Sequence, residues 1–198
     1  MKRYLFLALT VMTLLSAQAQ TAKQVLDKTA AIVGRKGGSS ASFHMSNPKQ
    51  GSTSGTISIK GAKFFASTPE AKVWFDGKTQ WAYMASTDEV NISSPTQAEQ
   101  MTMNPYTFIT LYNTGYTTTM KTVRGQYQVH LVAQNKKRTV KEMYITINKN
   151  YLPTHIKMFN GKVWLDIKIS NFKAQNQPDS KFRFSQKLCP GAEIIDLR

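Results

Sequence analysis

The sequence predicts a mainly β chain: one antiparallel meander of short strands, with a helix at its N-terminus and two short helices inserted midway. Three observations carry this. Val73 to Pro95 sets Asp76-Gly77 between two aromatic-rich runs, the strongest short-range signal of a hairpin, because glycine reaches positive φ freely. Val163, Leu165, Ile167 and Ile169 alternate with Trp164, Asp166, Lys168 and Ser170, the period of two that marks a strand with one apolar side, which should face the interior. Between Ser94 and Gly115 that period is lost. Ser94, Pro95 and Gln97 form one helix start there, and Asn104 with Pro105 a second.

The chain begins Met1-Lys2-Arg3, follows with an apolar run from Tyr4 to Leu15, and reaches Ala17-Gln18-Ala19. This is the pattern of a secretory signal peptide over residues 1–19, with cleavage expected before Gln20 and a periplasmic destination. A helix is predicted from Thr21 to Val33: Thr21 and Gln24 form a capping box, Val25, Leu26, Thr29, Ile32 and Val33 share a face, and Gly34 stops it. Strands are expected over Ala41 to Ser46, Thr53 to Lys60 and Lys63 to Ser67, with Ile57 and Ile59 on one side of the second. If the hairpin loop holds only Asp76 and Gly77, Trp74 pairs with Thr79 and Lys72 with Trp81. Trp74, Trp81 and Tyr83 then share one face and Val73, Phe75, Ala82 and Met84 the other, so something apolar must cover both.

A short strand at Val90 and Ile92 leads into the insertion, whose second helix carries Phe108, Ile109 and Leu111 after Met101 and Met103. Residue by residue this apolar surface reads as ordinary core; as a set, because methionine repacks cheaply around irregular shapes, the segment from Pro95 to Tyr112 also suits an adaptable cover over an apolar cavity. Strands resume at Tyr116 to Val123, Gln126 to Gln134, Thr139 to Asn148 and Leu152 to Phe159. Asn160-Gly161 turns the chain into the alternating strand, and a last strand is expected over Lys181 to Ser185 before a tail. About ten or eleven strands result, and a single sheet that long must curl.

With 198 residues, 41% of them hydrophobic, the chain suits one domain with a sizeable core, residues 20–198. The formal charge of +15 becomes +13 once Lys2 and Arg3 are removed. Export makes nucleic acid an unsuitable partner for that excess and favours anionic membrane surfaces or an acidic protein. Cys189 has no partner for an internal disulfide and is expected to pack rather than react. His44, His130 and His155 are isolated, so neither a metal site nor a cofactor is expected. Gly77-Lys78-Thr79 lacks the preceding glycine and helix of a phosphate-binding loop, and Gly51-Ser52-Thr53-Ser54-Gly55 has threonine where a nucleophile elbow needs serine. No nucleophile constellation or carboxylate pair appears, and an enzyme is not expected.

Asp76-Gly77-Lys78, Trp81-Ala82-Tyr83, Val90, Phe182-Arg183-Phe184, Pro190-Gly191 and Ile194-Ile195-Asp196 together resemble the LolA-type periplasmic carriers of outer-membrane lipoproteins. The resemblance covers most of the chain after the signal. It implies an incompletely closed antiparallel β-barrel, a half-barrel, with the helical insertion as a lid. It also implies a monomeric carrier that accepts acylated lipoproteins from an inner-membrane lipoprotein-releasing ABC transporter and passes them to an outer-membrane acceptor. On this reading the acyl-binding surface comprises Ile57, Ile59, Trp74, Trp81, Tyr83, Val163 and Leu165, covered by Met101, Met103, Phe108, Ile109 and Leu111. The alternative is a lipid-binding or envelope-sensing module of the same shape that signals through a protein partner. One departure stands out: where the family often places an arginine that latches the lid, this chain has Gly61-Ala62, with Lys60 and Lys63 as neighbouring cations that lack arginine's rigid donor fork.

Overall fold

Thr21 starts the first element as its sequence requires. Its Oγ1 accepts from the Gln24 amide at 3.2 Å and its own amide donates to Gln24 Oε1 at 3.0 Å, closing the capping box of helix α1, Ala22–Val33. The computed structural model describes residues 20–49, 51–96 and 110–198. The expected signal peptide therefore lies outside the described residues, as do Met101, Met103, Phe108 and Ile109. The expected helix starts at Gln97 and at Asn104-Pro105 lie outside them too; of the described part of the midway insertion, Leu111–Asn113 forms a 3-10 turn.

Twelve strands follow α1 among the described residues: β1 Ser39–Asn47, β2 Gly51–Lys60, β3 Lys63–Ser67, β4 Ala71–Phe75, β5 Gln80–Met84, β6 Glu89–Ser93, β7 Tyr116–Val123, β8 Gln126–Ala133, β9 Glu142–Ile147, β10 Pro153–Phe159, β11 Trp164–Lys173 and β12 Glu193–Asp196. They form one sheet in the order β12-β6-β5-β4-β3-β2-β1-β11-β10-β9-β8-β7. Its two end strands do not pair, so the sheet is not closed into a barrel. Val25 and Leu26 of α1 belong to a core cluster with β8, β9 and β10, while Val33 belongs to one with β2, β3 and β4. Crossing from β4 to β8 takes roughly 33 Å of flat sheet, whereas a helix of 12 residues is about 18 Å long. One helix serves both clusters because the sheet curls around it.

The hairpin forms at Asp76, but its register differs from the expected one by two residues: Trp74 pairs with Trp81 and Phe75 with Gln80. The Asp76 carboxylate accepts from the amides of Lys78 and Thr79 at 3.0 and 2.9 Å, and this side-chain turn lengthens the loop. A shift of two preserves the faces. Both are covered, as two apolar faces demand: Val73 and Phe75 join the cluster under α1, and Trp74 and Trp81 lie beneath the C-terminal segment with Val90, Cys189 and Ala192.

The end of the chain differs from expectation. Lys181 to Ser185 is not a strand: 3-10 turns span Asp179–Phe182 and Gln186–Leu188. Turn bonds from the Lys181 and Arg183 amides to Pro178 and Ser180 occupy the backbone, while Phe182 is wholly buried and Phe184 meets Trp74 edge-on with ring centroids 5.4 Å apart. The phenylalanines act as plugs rather than as one face of a ladder. The tail supplies the strand instead: β12 runs parallel to β6, the one parallel pairing among the described strands.

Candidate functional site

A cavity of about 310 Å³ opens on the inner face at the centre of the sheet. Its walls follow from register. Ala41, Phe43 and Met45 of β1 pair with Ile57, Gly55 and Thr53 on one side, and Phe43 and Met45 pair with Ile169 and Ile167 on the other. Cross-strand partners share a face, so the apolar residues of β1, β2 and β11 line one concavity with Ala66 of β3 and Ile156 of β10; Val33 of α1 borders it as well.

Two local devices shape it. In β1–β11 the register moves from Ser42↔Ser170 to Ser40↔Lys173, a bulge at which Asn171 adopts φ 52°. The extra residue reverses the alternation, which turns Phe172 inward with Ile169 instead of outward with Ser170. At Gly55, a Cβ would stand 2.8 Å from Phe43 Cζ and 2.2 Å from the Ser67 carbonyl oxygen. Glycine there lets the Phe43 ring and the β3 backbone come close.

No charged side chain lines the cavity among the described residues. Three hydroxyls on its border are engaged locally: Ser39 donates to Val33 O at 2.7 Å, Thr68 to Ala71 O at 3.3 Å, and Ser42 accepts from Asn171 Nδ2 at 3.3 Å. What the walls chiefly offer a ligand is hydrocarbon surface. Such a site holds an apolar chain through burial, at about 0.8 kcal/mol per CH₂, and offers little to a polar one. Its volume is at the low end of the roughly 300–1,000 Å³ common for ligand sites.

Of the expected site residues, Ile57, Ile59 and Leu165 line this cavity. Trp74, Trp81 and Tyr83 do not; they lie on the opposite face under the C-terminal segment, with Trp74 and Trp81 only 3% and 9% exposed. Register decides this. Ile57 pairs with Ala66 and Ala66 with Val73, so the Val73 side of the hairpin, not the tryptophan side, is continuous with the cavity wall. Tyr83 donates to Asp88 Oδ1 at 3.0 Å, and that bond holds its hydroxyl above the usual tyrosine range. Val163 precedes β11 in a turn, its amide held by Asn160 Oδ1, and does not reach the cavity. Leu111 is buried in the other inner cluster with Val25 and Leu26.

Lys60 and Lys63 hold no inserted segment among the described residues. Their ammonium groups lie 3.1 and 3.0 Å from Asp179, and Lys60 also donates to Gln177 O, so they tie the β2–β3 turn to the C-terminal segment. The bond from Lys63, then that from Lys60, keeps the Asp179 carboxyl below its usual range.

Sequence reasoning overlooked Phe43, Met45 and Phe172. The first two were readable in the alternation Ser40-Ala41-Ser42-Phe43-His44-Met45-Ser46, whereas Phe172 depends on a bulge that breaks the period. The histidines all lie on the outer face, where His44 meets Ser54, His130 meets Glu142 and His155 meets Asp166. Among the described residues no group of three or more His, Cys, Asp or Glu could hold a metal ion, and no helix is long and apolar enough to cross a membrane.

A family model described as outer membrane lipoprotein carrier protein LolA matches residues 12–162. The chain belongs to this family. Among solved structures, an uncharacterized conserved protein from Thermus thermophilus shares this fold: TM-score 0.59, 14% identity, 89% of this chain and 99% of that one covered. A LolA superfamily protein from Nitrosomonas europaea is similar over 84% of this chain and 99% of its own, at 14% identity and a TM-score of 0.46. LprF from Mycobacterium bovis is similar over 80% and 97%, at 9% identity and a TM-score of 0.43. No curated protein matches the sequence.

Proposed function

We propose that this protein is a periplasmic carrier that holds the acyl chains of lipoproteins in the β1–β2–β11 cavity and passes them toward the outer membrane. One observation carries the reading: the cavity is walled by hydrocarbon from five strands and α1, with no charged side chain in its lining among the described residues. Membership in the LolA family supports lipoprotein as the cargo, an inner-membrane ABC transporter as donor and an outer-membrane acceptor as recipient. Carriage of this kind needs burial and release rather than a catalytic group.

Native mass spectrometry of the protein recovered from its own periplasm tests the proposal. A bound acylated lipoprotein supports it. A free lipid as the sole ligand overturns the cargo assignment in favour of a lipid-sensing module, and a ligand-free protein that also fails to bind a fluorescent fatty acid overturns both.

A further inference from the structure

The outer face of the β8–β11 half carries a set of side chains that the cavity does not use. Val132, Glu142, Phe159 and Trp164 stand in one cross-strand row, and His130, Tyr144, Lys157 and Asp166 in the next. The rings form a ladder: His130 stacks on Tyr144 at 4.2 Å, Tyr144 lies 6.0 Å from Trp164, and Trp164 stacks on Phe159 at 5.1 Å. None of these rings belongs to a buried core cluster, and Val132 and Tyr144 are 43% and 38% exposed. An apolar patch left open on an outer sheet face marks a surface that meets something.

Charge says what. From Tyr116 to Lys173 the sequence holds 11 of its 26 basic residues and 2 of its 11 acidic ones. Both acids lie in the patch and both are engaged: Glu142 accepts from Tyr144 and pairs with His130, and Asp166 pairs with His155, all at 2.8 Å. Lys136, Lys137, Lys157 and Lys162 are exposed around the rings, and Lys157 lies over Trp164 at 5.6 Å from its centroid. The two basic loops are joined. Lys141 donates to the carbonyls of Lys136 and Arg138, and its Cε would lie 3.2 Å from a Cβ at Gly161. Tryptophan and tyrosine with flanking lysines match the interfacial zone of a bilayer, where rings sit at headgroup level and cations meet anionic lipid.

We propose that this aromatic and basic rim is a docking surface for anionic lipid membranes. Trp164 and the cavity-lining Leu165 are successive residues of β11 on opposite faces, so the rim lies at the Leu165 end of the cavity. Docking there brings that end of the cavity to the bilayer from which chains are taken or to which they are given.

Sedimentation of the full secreted chain with vesicles tests the proposal. The protein should pellet with phosphatidylethanolamine–phosphatidylglycerol vesicles and not with phosphatidylcholine alone, and raised salt should release it. Trp164 is the tryptophan outside the buried core, so binding should shift the emission to the blue. Trp164→Ala should remove that shift, and the charge reversal Lys136→Glu/Lys137→Glu/Lys162→Glu should lower vesicle affinity more than about tenfold. Both variants should keep wild-type circular dichroism and fatty-acid binding, which separates a failed rim from a failed cavity. Equal vesicle binding by folded variants overturns the proposal, as does indifference to lipid charge. Capture of an acidic protein by this face without any vesicle binding overturns it as well.

Discussion

Phe43 shows how one side chain of the cavity depends on another that is missing. Its ring lies against Gly55, where an added Cβ would meet the Ser67 carbonyl at 2.2 Å. Gly55→Ala should therefore cost about 1–3 kcal/mol through overpacking, seen as a lower midpoint in urea unfolding. Ile57 is lined up with Ala41 and Ala66 in the cavity wall, and Trp81 lies on the other side of the sheet. Ile57→Asp would set an unpaired carboxylate in the acyl path and should abolish binding of a fluorescent fatty acid. Trp81→Ala should do the reverse, removing about 3–5 kcal/mol of stability while leaving affinity unchanged in the protein that remains folded. The parity of these residues was legible in the sequence, since Trp74, Trp81 and Tyr83 do share a face. Which of two apolar faces meets the cavity was not, because the cavity is built by the pairing of β1 with β11, strands far apart in the sequence.

The C-terminal segment is the element whose local pattern misleads most. Phe182-Arg183-Phe184 alternates like a strand, yet its rings fill separate gaps, and the short Ile194-Ile195 stretch joins the ladder because β6 offers a free edge. Asp179 anchors this segment to Lys63 and Lys60. Because the folded state lowers its pKa, the stabilisation is present above the ordinary aspartate value of 3.8 and is lost as pH falls below it through the lowered value. Asp179→Asn should thus lower the melting temperature slightly at neutral pH and low salt. At strongly acid pH, or in high salt, the two proteins should melt alike, because the pair is exposed and screened. Cys189 reports on the same element: it is 7% exposed beneath the segment, against Trp74 and Trp81. Removing residues 193–198 should detach the segment more often and speed the reaction of Cys189 with a thiol reagent severalfold, whereas an unchanged rate would show that β12 does not hold it in place.

At the scale of the molecule, the sheet has two sides with different tasks. The curled inner side holds α1 and the cavity, and the outer side is sealed by the C-terminal segment over β3–β6 and open over β8–β11. The meander and the ends of α1 were legible because each follows from local periodicity and caps. That the curled sheet is an open half-barrel rather than a sandwich was legible through resemblance, since alternation of period two is the same in a sandwich, a barrel and an open sheet. A two-sided arrangement predicts where ligand binding is felt. An acyl chain in the proposed site would contact β1, β2, β11 and the end of α1 and stabilise only the folded state, so a fatty acid at 100 times its dissociation constant should add about 2.7 kcal/mol to global stability. Local openings that uncover the cavity should become rarer by a similar factor. Hydrogen exchange with and without a fatty acid should therefore slow first at Ala41 to Met45, Ile57 to Ile59 and Leu165 to Ile169. Amides of β5, β6 and β12, on strands whose apolar contacts are to the Trp74 cluster, should change only where exchange requires global unfolding. Protection that rises first around Trp74 and Trp81 would instead move the binding site to the outer face and require a different ligand path through the fold.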